Sequence, residues 1–155
     1  MHKITKIVMA TIVTSSLLMT TACSSKIKGR GARTAPNEIT KLCIVQNNGK
    51  RGSTIFEDEA IKAIATLGYQ GALTDSVDTA KTDGCSHFIK YVSNHRNPDA
   101  VLAVHTGFYK IKEDGSVVRK ADFKWAGKIY PSDDPKKAQE ETQKIIRACV
   151  TGRGK

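Results

Sequence analysis

Two stretches of the chain carry apolar residues at helical spacing. Between residues 55 and 67, apolar side chains recur every three to four positions, which predicts an α-helix with one apolar stripe. The pair Thr54-x-x-Glu57 is a capping box that opens this helix, and Gly68 is a typical stop at its end. We therefore expect one side of the helix to pack on a core.

The second helix is predicted near the C-terminal end of the chain. Asp133 or Asp134 is a suitable N-cap, Pro135 suits the first turn, and Gly152 lies beyond the predicted end. The predicted inner side of this helix consists of Ala138, Thr142, Ile145, Ile146 and Cys149.

Most of the other apolar residues follow strand patterns. Ala121, Phe123 and Trp125 alternate with polar residues, which is typical of a strand with one side in water. The Asp114-Gly115 pair predicts a hairpin turn. We predict strands over residues 41–46, 69–73, 86–93, 100–111 and 117–125, a polar loop over 75–84, and a turn over 94–98.

This order of elements predicts an α+β protein. Helices with one apolar stripe and strands with one wet side favour two packed layers. We expect a two-layer sandwich in which two helices cover one face of a four- to five-stranded, largely antiparallel sheet.

The first 22 residues have the features of an export signal. Lys3 and Lys6 form a basic start, and residues 7–19 carry no charge. Such a run is typical of a signal peptide and is shorter than the ~20 residues of a membrane-spanning helix. We therefore predict a signal peptide over residues 1–22.

Residues 20–23, Thr-Thr-Ala-Cys, resemble the lipobox of bacterial lipoproteins. The resemblance implies that Cys23 carries diacylglycerol, that the signal is cut before it, and that the new amino group is acylated, palmitate being a typical chain. Two or three acyl chains make such an anchor stable. Thr20 departs from the pattern, in which an aliphatic residue is commoner. Ser24, rather than aspartate, implies an outer-membrane anchor that faces the periplasm of a Gram-negative host; plain secretion with a free Cys23 is the alternative.

Residues 23–38 are mostly polar, with two glycines and no apolar periodicity. They predict a lipidated, flexible tether to one globular domain over residues 39–155. The net charge of the chain is +10, but the signal and the tether hold six of its basic residues. The basicity therefore belongs partly to the N-terminal segments, and export argues against nucleic acid as a partner.

Cys43, Cys85 and Cys149 remain in the predicted domain. Disulfides persist outside the cytoplasm, so three thiols predict one bridge and one thiol left over. The cysteines form no C-x-x-C or paired cysteine–histidine motif, which argues against a metal site.

The elements that carry a wider resemblance are Leu42-Cys43-Ile44-Val45 with Asn47, Phe56, the Leu67-Gly68 helix end, Cys85, Tyr91 with Ser93 and Asn94, and an Asp-Gly hairpin before a closing helix. Together, over about residues 40–150, they resemble a family of small α/β envelope lipoproteins of bacteria whose molecular function is uncharacterised. The resemblance implies a Cys43–Cys85 disulfide and no catalytic residue. The chain departs from the family pattern after Tyr91, where a stretch rich in tryptophan and aspartate is expected.

No motif specifies a reaction. His87, His95 and His105 stand in no metal-binding or catalytic grouping, and no serine has the G-x-S-x-G context of a nucleophile. The aspartates within residues 75–83 lack the spacing of an EF-hand. We therefore predict no enzyme activity, no metal and no cofactor.

Phe108, Tyr109 and Trp125 lie on neighbouring predicted strands. They belong either to the core or to an exposed binding face. The anchor favours a binding module that docks another envelope protein through a sheet edge or an exposed strand face. An anionic envelope polymer or lipid head group is the alternative partner, and an envelope hydrolase is a third hypothesis. No feature of the sequence specifies an oligomeric state.

Overall fold

The computed structural model describes residues 25–47, 54–97 and 100–154. The predicted signal peptide and Cys23 lie outside these ranges. No helix within them is long and apolar enough to cross a membrane. The elements are β1 (Lys26–Gly31), a 3₁₀ turn (Pro36–Glu38), β2 (Leu42–Val45), α1 (Thr54–Thr66), β3 (Gly71–Thr74), α2 (Val77–Thr82), β4 (His87–Asn97), β5 (Ala100–Ile111), β6 (Val117–Ile129) and α3 (Pro135–Thr151).

The six strands form one sheet in the order β1-β6-β5-β4-β2-β3. Strand β2 is parallel to β3 and to β4, whereas the other pairs are antiparallel. The predicted α+β class is confirmed. The predicted four to five, largely antiparallel strands are corrected to a mixed sheet of six, because α1 and α2 act as crossovers that return the chain to parallel strands.

The main core lies between the sheet and helices α1 and α3. Helix α3 begins at the Asp134 cap, whose carboxylate accepts from the Lys137 backbone N–H at 3.0 Å, and ends at Gly152 with φ 71°. The predicted inner side of α3 is buried in full. The largest fully buried side chains of this core are Trp125, Phe56, Phe108 and Phe123.

Helix α2 replaces the loop that was predicted over residues 75–84. Ser76 caps it by accepting from the Thr79 N–H at 3.0 Å, and Ala80 is its one buried residue. Such a short helix shows no periodicity, so its polar sequence was wrongly interpreted as a loop. It packs on the opposite face of the sheet from α1 and α3, in a small cluster that includes the Cys43–Cys85 disulfide.

Strand β1 corrects the prediction of a flexible tether for residues 26–31. It pairs antiparallel with β6 along its whole length, with Lys26 opposite Ala126 and Gly31 opposite Ala121. A Cβ at Gly31 would lie 2.2 Å from that of Ala121, so glycine permits the close approach. Because backbone hydrogen bonds hold this edge strand and only Ile27 packs on the core, apolar periodicity did not reveal it.

The predicted turn over residues 94–98 is also wrong, since β4 continues to Asn97 and pairs with β5 across two irregularities. The hairpin turn is confirmed at Gly115, where φ is 78°. Helix α1 begins at Thr54 as expected, although the Glu57 side chain turns inward and is only 5% exposed.

Candidate binding site

One face of the sheet stays largely uncovered, and we call it the open face. It is the side of β1, β6, β5 and β4 that points away from α1 and α3; in the described ranges only α2 packs on this side, next to β2 and β3. Residues paired across the strands share this face, as in the row Lys28, Lys124, His105. Its exposed cations among the described residues include Lys26, Lys28, Arg30, Lys90, Arg119, Lys124 and Lys128.

A cleft of about 500 Å³ lies on the open face beside the start of α2. One wall comes from Gln46 and Asn47 after β2 and from Asp75 and Ser76 after β3. These two parallel strands end at the same edge, which is where open sheets commonly bind ligands. The floor and the other wall come from Lys90 and Val92 on β4, His105, Gly107 and Tyr109 on β5, and Arg119 on β6.

Tyr109 forms the aromatic part of the floor. Its ring stacks on Phe88 at 5.0 Å, and the Arg119 guanidinium lies 5.9 Å from its centroid. A Cβ at Gly107 would lie 2.8 Å from the Tyr109 hydroxyl oxygen, so the absence of a side chain lets the ring lie across this strand. A register shift between β5 and β6 places Arg119 opposite Tyr109.

Asp122 connects two of the basic side chains. Its Oδ1 lies 2.6 Å from His105 Nε2, and the Arg119 guanidinium donates to its Oδ2. All three side chains are at least one third exposed, so these ion pairs add little to stability. These contacts orient the Arg119 guanidinium and the His105 ring at the cleft wall.

A buried hydrogen-bond network supports the amide wall of the cleft. The Tyr91 hydroxyl donates to Glu57 Oε1, and Gln46 Nε2 donates to Glu57 Oε2 at 3.3 Å. Asn47 Nδ2 donates to the Tyr91 carbonyl at 3.2 Å. Burying a carboxylate is costly unless donors satisfy it, so this network fixes the position of both amides.

The two alternatives for the aromatic residues divide among them: the core alternative is confirmed for Phe108 and Trp125, and an exposed position holds for Tyr109 alone. Phe108 and Trp125 are fully buried under α1 and α3, whereas Tyr109 points to the opposite side and lines the cleft. Consecutive strand residues point to opposite faces, so Phe108 and Tyr109 cannot share one. The predicted Cys43–Cys85 disulfide is confirmed, and Cys149 is the free, buried thiol.

The histidines do not form a catalytic group in the described part of the chain. His87 is fully buried, stacks on Phe108, and places its Nδ1 3.1 Å from Ser86 Oγ. Burial lowers the pKa of His87 to about 4. Ser86 is engaged with the backbone of Thr40 and Lys41. The His95 side chain lies outside the described residues.

Metal-binding clusters are also absent from the described ranges, where no three histidine, cysteine or acidic side chains converge. The aspartates that were considered for calcium are separated. Asp75 accepts from the Thr79 hydroxyl, and Asp78 lies 3.7 Å from Lys81. The site is a polar cleft lined by Lys90, Arg119, two amide side chains, the Asp75 carboxylate and the Tyr109 ring.

The fold and the cleft together define an α+β protein with a basic, open sheet face. No protein-family model and no curated protein matches the sequence. Among solved structures, the chain is similar to the PelC dodecamer from Paraburkholderia phytofirmans, with a TM-score of 0.58, 9% identity, and coverage of 84% of this chain and 99% of that chain. A point variant of the same dodecamer matches with a TM-score of 0.56, 11% identity and coverage of 83% and 98%. This likeness shows a shared fold.

Proposed function

We propose that the chain is an envelope lipoprotein, anchored through Cys23 in the outer membrane on the periplasmic side, whose domain is a non-catalytic binding module. The open face docks a partner with an anionic surface. The observation that supports this most directly is the excess of exposed cations over carboxylates among the described residues of the open face. A surface of one charge sign attracts its opposite over about 10 Å at moderate salt.

Strand β1 makes the proposed anchor short. Lys26 begins the strand three residues after Cys23, and an extended chain spans at most about 3.5 Å per residue. The lipid therefore holds the edge of the sheet within about 10 Å of the head groups. Lys26 and Lys28 lie at this end, where each cation near an anionic surface contributes about 1 kcal/mol.

The anchor is tested by labelling cells with a fatty acid. We expect the wild-type chain to carry the label and to sediment with membranes, whereas Cys23→Ser remains unlabelled, because the thiol that accepts the lipid is gone. Cys149→Ala is the matched control and keeps the label. Equal label in the wild type and Cys23→Ser would contradict the anchor.

The docking surface is tested by charge reversal. Lys28 and Lys124 are cross-strand neighbours, so Lys28→Glu with Lys124→Glu reverses the charge of the β1–β6 part of the face. We expect crosslinking to the envelope partner to fall at least about tenfold, and wild-type binding to weaken as salt is raised. The exposed pair Lys136→Glu with Lys137→Glu on α3 changes the net charge equally and keeps wild-type binding.

Two outcomes would contradict this docking surface. One is an equal loss of crosslinking in both double variants, which would indicate a response to net charge alone.

The other outcome is binding of a second copy of this chain to the face. We consider this alternative because the structures that the chain resembles are dodecamers. Light scattering measures this alternative. If the wild type has a multiple of the chain mass and the Lys28/Lys124 variant has the mass of a single chain, the face serves self-assembly.

A further inference from the structure

We infer that the cleft beside α2 binds an acidic sugar unit, which makes the anionic partner a carboxylate-bearing saccharide. This inference rests on the proposed function, because it specifies the chemistry of the partner that docks on the open face. It is carried by the position of two cations, an aromatic hydroxyl, two amides and one carboxylate around a single cavity.

The cationic side of the cleft fits a carboxylate. Lys90 is exposed and forms no ion pair with any described residue, and Arg119 shares its guanidinium with Asp122. Gly107 on β5 lies between Lys90 on β4 and Asp122 on β6, and the lack of a Cβ there leaves open space beside Lys90. The Tyr109 hydroxyl lies in that space. A carboxylate seated there meets an ammonium, a guanidinium and a phenol, all of them donors.

The opposite wall fits hydroxyl groups. Asp75 and the side chains of Ser76, Gln46 and Asn47 provide acceptors as well as donors. Hydrogen bonds from Thr79 and Ser76 hold the pKa of Asp75 below its usual value, so this carboxylate stays ionised and accepts from ligand hydroxyls. The network around Glu57 fixes the amides in advance, which reduces the entropy lost on binding.

The same wall argues against inorganic phosphate as the ligand. Near neutral pH a phosphate carries between one and two negative charges, so the ionised Asp75 repels it more strongly than it repels one sugar carboxylate, and a phosphate offers fewer hydroxyl donors to the amide oxygens than a sugar ring does. A sugar acid carries one charge and several hydroxyls, which matches both walls. The cleft of about 500 Å³ is within the usual range for a small ligand, and its open side lets a polymer continue past the bound unit.

The test is calorimetric titration of the full chain in a neutral detergent with a trimer of galacturonic acid. We expect saturable binding, at least about tenfold tighter than for the neutral galactose trimer, because a charged hydrogen bond contributes about 1.5–3 kcal/mol. Arg119→Gln and Lys90→Gln each weaken binding about tenfold or more. Asp75→Asn also weakens it, although this change makes the cleft more positive. Lys112→Gln, on the hairpin outside the cleft, is the matched control and binds as the wild type does.

Two other anionic ligands test whether the cleft binds a sugar carboxylate specifically or any negative charge. Inorganic phosphate and vesicles with phosphatidylglycerol are expected to leave the cleft variants and the wild type indistinguishable. The inference is overturned if the neutral trimer binds equally well, if Lys112→Gln loses as much affinity as Arg119→Gln, or if Asp75→Asn strengthens binding. If the acidic trimer does not bind but the Lys28/Lys124 variant still loses crosslinking, the sugar ligand is refuted and the docking face is retained. If the trimer binds but the Lys28/Lys124 variant keeps wild-type crosslinking to the envelope partner, only the docking face is refuted.

Discussion

Replacing Cys43 and Cys85 together by alanine is expected to lower the free energy of unfolding by about 4 kcal/mol, since the disulfide restricts a loop of 42 residues in the unfolded chain. The bond joins β2 to Cys85, which lies two residues before β4, and it belongs to the small core under α2. We expect a lower midpoint of urea unfolding, measured by circular dichroism.

A reductant gives the control for this prediction. It destabilises the wild-type chain and leaves the alanine variant unchanged, because only the wild type has a bond to lose. Cys149 is the remaining buried thiol, and its response to the reductant is the same in both proteins. Equal unfolding midpoints of the oxidised wild type and the variant would contradict a stabilising disulfide.

Replacing Trp125 by alanine is expected to lower the free energy of unfolding by about 3–5 kcal/mol. The side chain is fully buried between the sheet and α3, and its Nε1 donates to Glu141 Oε2 at 3.0 Å. The truncation leaves a cavity and removes a donor from a buried carboxylate. Denaturant unfolding followed by circular dichroism measures the loss.

Two further variants separate the causes. Trp125→Phe retains most of the volume but not the N–H, and we expect it to lose about 1–3 kcal/mol. Although burial opposes ionisation, hydrogen bonds from Lys144, Ser25 and Trp125 hold the pKa of Glu141 below its usual value. Tyr109→Ala, on the open face, is expected to lose less stability than Trp125→Ala. A stable Trp125→Ala chain with weaker ligand binding would contradict the core role of this residue.

The elements that follow a clear period were predicted well. Helices α1 and α3 and strand β5 match their expected ranges closely, because each buries one regular stripe or a continuous apolar run. The Cys43–Cys85 bridge was implied by a family resemblance and not by spacing. The positions of the three cysteines in the sequence allow three different pairings. Only the fold shows that Cys43 and Cys85 are the two that meet.

The elements that the sequence did not reveal are those held by backbone pairing or by neighbours in space. Strand β1 buries only part of Ile27, and α2 buries only Ala80, so neither has an apolar period to detect. The parallel pairing around β2 depends on both crossovers. The cleft combines residues that lie far apart in the chain, from Gln46 to Arg119, and single residues such as Asp75 looked like ordinary loop positions.

The pairing of β1 with β6 has a mechanical consequence for an anchored molecule. Two residues separate Cys23 from the first pair of that ladder, Lys26 with Ala126. In the proposed anchored state, a pull on the lipid is transmitted to the sheet over a very short connection, and the load falls first on this terminal pair of the edge strand. The domain then stays close to the bilayer, with this end of β1 nearest to the head groups.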